Sequence, residues 1–340
     1  MRWDNLRLDV RERDERLTAP LFEQGAVVRT FDTPEFKGIT FYEIQAKSII
    51  NRVPEASRVP FRWTINPYRG CSHACVYCFA RNTHTYLDFD AGHDFDTQIV
   101  VKVNAPQLLR KELARPKWSR EHIAMGTNVD TYQRAEGRYR LMPAIIEALR
   151  DARNPFSILT KGTLILRDLE LLKEAAEVTD VGTSFSVGTV SPKIWRATEP
   201  GTPNPRRRLD AVRRLNEAGI PCGVLMAPIL PYLSDSDELL EETVAAIAES
   251  GATHIAPIVL HMRPGAREWY FGRLEREHPE LLPRYEELYR KGSYAPKEFQ
   301  RSISDRVQEL ARLYKVGPRT PRQARRVTES EPVPEQLRLV

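Results

Sequence analysis

No stretch of this chain is long and apolar enough to read as a bilayer span. Its first residues, MRWDNLRLDVRERDERL, are charged throughout and lack the apolar core of a secretion signal. Both absences predict a protein that stays in the cytoplasm. Cysteine is scarce, with 4 in 340 residues, and three of those fall between positions 71 and 78. A reducing compartment disfavours disulfides, so this clustering points to metal or redox chemistry. No GxGxxG follows the first strand-like segment, which counts against a dinucleotide fold. No repeat with a period of about 20–50 residues is present, which argues against a solenoid.

Charged residues make up 29% of the chain and the net charge is +5. That mild excess of base fits an anionic partner, nucleic acid or phosphate, as well as it fits a merely soluble basic enzyme. The length suits one large core, and a single α/β barrel is of this size.

Residues 1–60 read as an N-terminal extension, with some strand character over 39–54. A strand–helix rhythm then begins. FRWTI (61–65), QIVVKV (98–103), HIAMGT (122–127), FSILT (156–160), VGTSFSV (181–187), CGVLMAPI (222–229) and THIAPIVL (253–260) read as strands. Between them, 105–114, 141–153, 206–219 and a segment ending at Ala248 read as helices. Asp168 stands where it can cap a helix carrying Leu171, Leu172, Ala175 and Ala176, Ser236 or Asp235 caps the last of the series, and Gly219 supplies a left-handed stop. Such alternation predicts a parallel sheet with right-handed crossovers, either doubly wound or closed into a full or partial barrel. After 262 the pattern changes to charged helical segments through 316, and 317–340 carries so little to bury that a disordered tail is expected.

The chemistry concentrates in NPYRGCSHACVYCFAR, residues 66–81. Its spacing is Cys71-x₃-Cys75-x₂-Cys78. Thiolates suit iron–sulfur clusters or zinc. Structural zinc needs four protein ligands, and the fourth would have to be His73, His84 or the distant Cys222. A four-iron cluster held by three cysteines instead leaves one iron open to a substrate or cofactor. The loop follows the first strand of the series, at the end where α/β active sites assemble.

The string resembles the signature of the radical S-adenosylmethionine superfamily, and more narrowly the branch related to spore photoproduct lyase, over roughly 61–262. The resemblance implies a partial (β/α)₆ barrel and a [4Fe–4S] cluster on Cys71, Cys75 and Cys78. It implies reductive cleavage of S-adenosylmethionine to methionine and a 5′-deoxyadenosyl radical. It also implies an electron donor such as flavodoxin or ferredoxin. A monomer is expected, with a nucleic acid or nucleotide as one candidate substrate. The rival reading is a zinc-stabilised nucleic-acid-binding protein without catalysis.

Further residues follow from the same resemblance. Phe79 stands where the family places an aromatic beside the adenine. Thr127 and Asn128 end a strand, and the segment after them matches a branch pattern at Asp130, Tyr132, Gln133 and Glu136, with Glu136 facing the pocket or orienting a neighbour. Lys161 ends the next strand and is expected to pair with the methionine carboxylate. Ser184 and Ser186 share one face of a strand. Arg196 and Glu199 lie in a stretch the branch sets over the cofactor. Each of these has a plainer reading: core packing, a turn, a solvated lysine or an exposed ion pair. Cys222 reads as a small buried apolar residue. The hydrogen-donor cysteine of spore photoproduct lyase has no counterpart in HIAMGT, where Ala124, Met125 and Gly126 stand, which argues against the same repair reaction. Arg206, Arg207, Arg208, Arg213 and Arg214, with Arg319, Arg322, Arg325 and Arg326, offer a basic surface for phosphates, although the ordinary role of such charges is a solvated helix face.

Overall fold

The computed structural model describes residues 25–317 apart from 56 and 58. Beyond Gly317, the tail expected to be disordered, with Arg319, Arg322, Arg325 and Arg326, lies outside the described residues. The chain enters through a small sheet. Strand β1 (Val27–Thr30) pairs antiparallel with β2 (Thr40–Ile44), and β3 (Ile50–Arg52) then joins β4 (Trp63–Ile65), again antiparallel. Strand pairing therefore crosses position 60, and the extension and the core share hydrogen-bonded edges. A short β5 (Tyr68–Arg69) leads into the cysteine loop. A 3-10 helix (Phe79–Leu87), α1 (His93–Thr97), β6 (Gln98–Lys102) and α2 (Ala105–Leu113) follow.

From there the chain winds regularly through β7 (Ile123–Met125), α3 (Arg134–Tyr139), α4 (Leu141–Asp151), β8 (Phe156–Thr160), α5 (Leu169–Val178), β9 (Val181–Ser186), α6 (Pro192–Thr198), α7 (Pro205–Glu217), β10 (Cys222–Ile229), α8 (Asp237–Glu249) and β11 (Ile255–Val259). Strands β4, β7, β8, β9, β10 and β11 are hydrogen-bonded in that order and all parallel. Six parallel strands laid down in sequence order, with helices between them and an open edge at β11, make the partial (β/α)₆ barrel. Its strands are inward-packed: Phe156, Ile158, Phe185, Val224 and Met226 are each at most 1% exposed.

One strand departs from the expected rhythm. β6 does not enter the barrel; it pairs parallel with β2 and antiparallel with β5 in the smaller sheet. A buried apolar run such as Ile99-Val100-Val101 fits any internal strand, and periodicity says nothing about its partner. Asp168 precedes α5 but makes no side-chain cap; its carboxylate is taken by Tyr132 Oη at 3.0 Å and by Arg167. Ser236 does cap α8, accepting from Leu239 N. After the barrel come α9 (Ala266–Glu277), α10 (Leu282–Leu288) and α11 (Lys297–Leu313), the last packing against α8 and β11. No described helix is long and apolar enough to cross a membrane.

Phe156 is fully buried. Phe156→Ala is therefore expected to cost about 3–5 kcal/mol, read by chemical denaturation. A loss below about 1 kcal/mol would mean that the site collapses around the missing ring.

Candidate active site

The cysteine loop leaves the small sheet at Gly70, whose φ of +78° and crowding leave no room for a side chain: a Cβ would lie 2.8 Å from both Gln98 O and His84 Cε1. Cys71 N then donates to Phe95 O at 2.9 Å, Ala74 N to Cys71 O, Val76 N to Thr198 O and Cys78 N to Cys75 O. Cys71 and Cys75 are buried and Cys78 is half-buried. Burial raises the affinity of all three thiols for their protons. Cys75 is pushed up to about 12, even with Lys161 pulling the other way, and Arg81 and Lys161 partly offset the shift at Cys78. Binding a metal cluster here must displace those protons, so loading should release acid and tighten as pH rises.

The segment after β7 grips this loop. The side chain of Gln133, fully buried, donates to Gly70 O at 2.9 Å and accepts from Ser72 N at 2.9 Å and Ser72 Oγ at 3.1 Å. Asp130 accepts from Thr160 Oγ1 and Lys161 N, both at 2.6 Å, and lies 3.3 Å from His73 Nδ1. Burial alone would raise its pKa, but the His73 ring and these donors bring it down to about 2. Glu136, also fully buried, accepts from Tyr68 Oη at 2.5 Å, from Arg167, and from the first two amides of α4, Leu141 N and Met142 N. It thus orients neighbours and caps a helix rather than meeting solvent.

A second support comes from Arg81, with no exposed surface. Its guanidinium donates to Cys75 O at 2.9 and 3.2 Å, to Gly92 O at 2.6 Å and to Asp96 at 2.9 and 3.0 Å. It lies between the rings of Phe95 and Trp269. A third is the buried set of Tyr77, Glu199 and Arg208, where Glu199 takes both the Tyr77 hydroxyl and the Arg208 guanidinium. Arg208 also donates to Ser186 O at 3.0 Å.

The residues singled out from sequence fall into two groups. Lys161, at the end of β8, donates to Ser186 Oγ at 2.8 Å and lies over the Tyr77 ring; its charge reaches Cys75, Cys78 and Glu199. Ser186 Oγ in turn donates to Ala227 O at 2.6 Å, and Ser184 is two residues back on the same face of β9. Thr127, past the end of β7, has a buried hydroxyl without a hydrogen-bond partner. Phe79 adjoins Cys78, with the His261 ring 5.2 Å away and Arg263 over its face. Asn128 and Arg196 lie outside this group. Both are exposed, and the Arg196 guanidinium sits over Trp195. Glu199 pairs inward with Arg208, not with Arg196. In the basic stretch at 206–214, Arg208 is internal, Arg206 and Arg213 are engaged with Glu242, Asp210 and Glu217, and Arg207 and Arg214 are exposed.

The other candidate zinc ligands are spent or distant. His73 pairs with Asp130. Cys222 starts β10, at the opposite end of the barrel from the loop. His84 Nε2 lies 2.8 Å from Gln98 O, and burial lowers its pKa to about 4. Among the described residues no three His, Cys, Asp or Glu side chains converge on a single metal ion. Thiols around a four-iron cluster each meet a different iron and need not converge on one point. The buried three-thiol donor set therefore fits a cluster with an open iron, and the unpartnered Thr127 hydroxyl leaves a polar group for a ligand at the same end of the barrel.

His84 carries a pH prediction. It stays neutral in the fold down to about pH 4, while in the unfolded chain it takes up a proton near 6.5. Stability it contributes is present above about 6.5 and lost as pH falls from there toward 4. His84→Phe should flatten that part of the stability–pH curve, and an unaltered slope would mean that other groups produce it.

Six parallel strands in sequence order with a three-thiol loop at their C-terminal mouth define a partial-barrel α/β protein. The family model of the radical SAM superfamily matches residues 65–255, and the chain belongs to that superfamily. An uncharacterised protein of Mycobacterium tuberculosis is 50% identical over 298 residues, 88% of each chain. An uncharacterised protein of Methanocaldococcus jannaschii is 31% identical over 207 residues, 60% of this chain and 73% of that one. Among solved structures, a mutant of spore photoproduct lyase superposes with a TM-score of 0.61 at 16% identity, covering 81% of this chain and 79% of that one. Spore photoproduct lyase complexed with dinucleoside spore photoproduct gives 0.60 at 17% identity, with the same coverage. The likeness to these structures is one of fold.

Proposed function

We infer that this protein is a radical S-adenosylmethionine enzyme, in which Cys71, Cys75 and Cys78 hold a [4Fe–4S] cluster. The observation that carries the reading is the buried loop of three thiols at the barrel mouth, clasped by Gln133 and Arg81, with Lys161 close enough to act on two of the thiols. A solved spore photoproduct lyase mutant of the same fold (TM-score 0.58) holds AdoMet, which supports a site for that molecule here. The cluster, when bound, supplies one electron for cleavage of the sulfonium and an open iron for the amino and carboxylate groups of methionine.

The chain's own residues do the rest. Lys161, steadied by Ser186, offers a cation to the methionine carboxylate. Thr127 offers its unpartnered hydroxyl, Ser184 a second one, and Phe79 an apolar ring next to the third thiol. Asp130 fixes the start of the turn that carries Lys161 by accepting its amide hydrogen. The buried Tyr77–Glu199–Arg208 set keeps water from the back of the loop. Asn128 and Arg196, exposed in the described state, are left out of this binding set. The cysteines must remain reduced to serve, which supports a cytoplasmic location.

Anaerobic reconstitution with iron and sulfide, then reduction in the presence of S-adenosylmethionine, should yield 5′-deoxyadenosine, and Cys75→Ala should abolish both the brown colour and the product. A colourless protein that retains one tight zinc per chain after reconstitution would sink the reading.

A further inference from the structure

The sheet face that carries Ser184 and Ser186 changes character from β9 to β11. Strand register sets Ser186 beside Leu225 of β10, and Leu225 beside Ala256 of β11. Ile258 stands two residues further along that face. At β8 and β9 the face is polar, with Lys161 bonded to Ser186. At β11 it carries no charge and leaves Ile258 39% exposed.

Just past β11 lies a series of aromatic rings. Phe79, next to the third thiol, is 5.2 Å from the His261 ring, and His261 stacks on Tyr294 at 5.5 Å and 17°. The backbone holds the series in place. His261 and Tyr294 form an antiparallel bridge, and Met262 N donates to Ser293 O at 2.8 Å. Burial, helped by the charge of Arg263, lowers the pKa of His261, so the middle ring is neutral at neutral pH. Tyr294, at the outer end, is 47% exposed. A planar ring extends such a series by offset stacking, whereas a saturated ring of equal size gains only its area. Apolar and aromatic walls with a few placed polar groups are the usual lining of a small-molecule site.

Charge narrows the ligand further. The Arg263 guanidinium lies 5.1 Å above the Phe79 ring and is exposed. Its side chain makes no hydrogen bond or ion pair among the described residues. Arg81, Arg167 and Arg208, by contrast, are engaged by internal carboxylates. An unpaired guanidinium presents a fork that matches a carboxylate. The helix that follows, α9, adds no phosphate cradle. Its Glu268 carboxylate already accepts from Gly265 N at the helix start, which puts a negative charge where a phosphate would have to sit.

We propose that Phe79, His261, Tyr294, Ile258 and Arg263 form a substrate subsite for a small planar aromatic molecule bearing one carboxylate. The proposal rests on the reading of the chain as a radical S-adenosylmethionine enzyme, and it names the class of molecule that gives up hydrogen there. One C–H bond beside the ring breaks and one forms at the 5′ carbon of the 5′-deoxyadenosyl radical. The unpaired electron passes to the carbon that lost its hydrogen.

The probes are 4-ethylbenzoate, its neutral counterpart 4-ethylbenzamide, and the saturated acid 4-ethylcyclohexanecarboxylate. Each is measured by equilibrium dialysis against the reconstituted full chain with S-adenosylmethionine bound. Wild type should hold 4-ethylbenzoate roughly tenfold tighter than the amide and roughly fivefold tighter than the saturated acid. Arg263→Gln should erase the first preference alone, and Tyr294→Leu the second alone, a split that a general loosening of the fold does not produce. Ile258→Glu should weaken both acids more than the amide, by like-charge repulsion. With 4-ethylbenzoate deuterated on its ethyl group, reduction should place deuterium in 5′-deoxyadenosine. Equal affinity for the three probes, preferences unchanged in both variants, tighter binding of adenosine monophosphate than of 4-ethylbenzoate, or 5′-deoxyadenosine free of deuterium would overturn the subsite. So would a loss of S-adenosylmethionine affinity in Tyr294→Leu as large as its loss of 4-ethylbenzoate, since the rings would then serve the adenine. A wild-type chain that binds the acid yet makes no 5′-deoxyadenosine on reduction would overturn the enzymatic reading, and the place of the subsite in a reaction with it.

Discussion

Arg81→Met is expected to cost about 3–5 kcal/mol of stability and most of the iron that the reconstituted protein retains. The guanidinium is fully buried, and its loss strands two sets of groups. Asp96, already raised to about 6 by burial in spite of Arg81, would lose its partner in the interior. The carbonyls of Cys75 and Gly92 would lose the guanidinium, leaving Cys75 O with the Cys78 amide at 3.2 Å, and weakening the satisfaction of buried carbonyls is itself costly. The two consequences can be separated. Arg81→Met with Asp96→Leu removes both charges, and such paired replacements are often close to neutral in stability. The double variant should therefore recover most of the melting temperature yet still load iron poorly, because Cys75 O keeps only the Cys78 amide within the loop and no longer has the Arg81 guanidinium to fix it. Full iron in the double variant would show that the arginine serves folding alone.

The second large effect is expected at Lys161. Lys161→Met keeps the length of the side chain and removes the charge. A hydrogen bond to a charged group contributes about 1.5–3 kcal/mol, so affinity for S-adenosylmethionine should fall by roughly 10- to 150-fold. Iron content should not change, since the lysine anchors no loop carbonyl; its one side-chain bond is to Ser186. Equilibrium binding of S-adenosylmethionine to the reconstituted protein, normalised to iron, reads this directly. Affinity within twofold of wild type would remove Lys161 from the binding set.

Part of this architecture was legible in the chain. Segments 156–160 and 222–229 read as strands and are β8 and β10 to the residue, because apolar β-branched runs bounded by turn residues have few alternatives. The Cys71-x₃-Cys75-x₂-Cys78 spacing announces its chemistry for a similar reason: three soft ligands on a few residues serve little else. Arg208 was partly legible as well. It precedes Val212 and Leu215 by four and seven residues and so shares their apolar face, yet its place in an arginine triplet suggests solvent.

What the sequence by itself determined is local: where strands and helices fall, and which thiols can share a cofactor. Composition and period act over a few residues and carry that much. The tertiary structure alone decided which distant groups meet. It sent β6 to the smaller sheet rather than the barrel, and turned Glu199 toward Arg208 rather than Arg196. It brought Gln133 across some sixty residues onto Ser72 and placed Arg81 under Cys75 O. The physical reason is burial. A polar side chain taken out of water must find a partner, and which partner it finds depends on what the whole chain has packed around it.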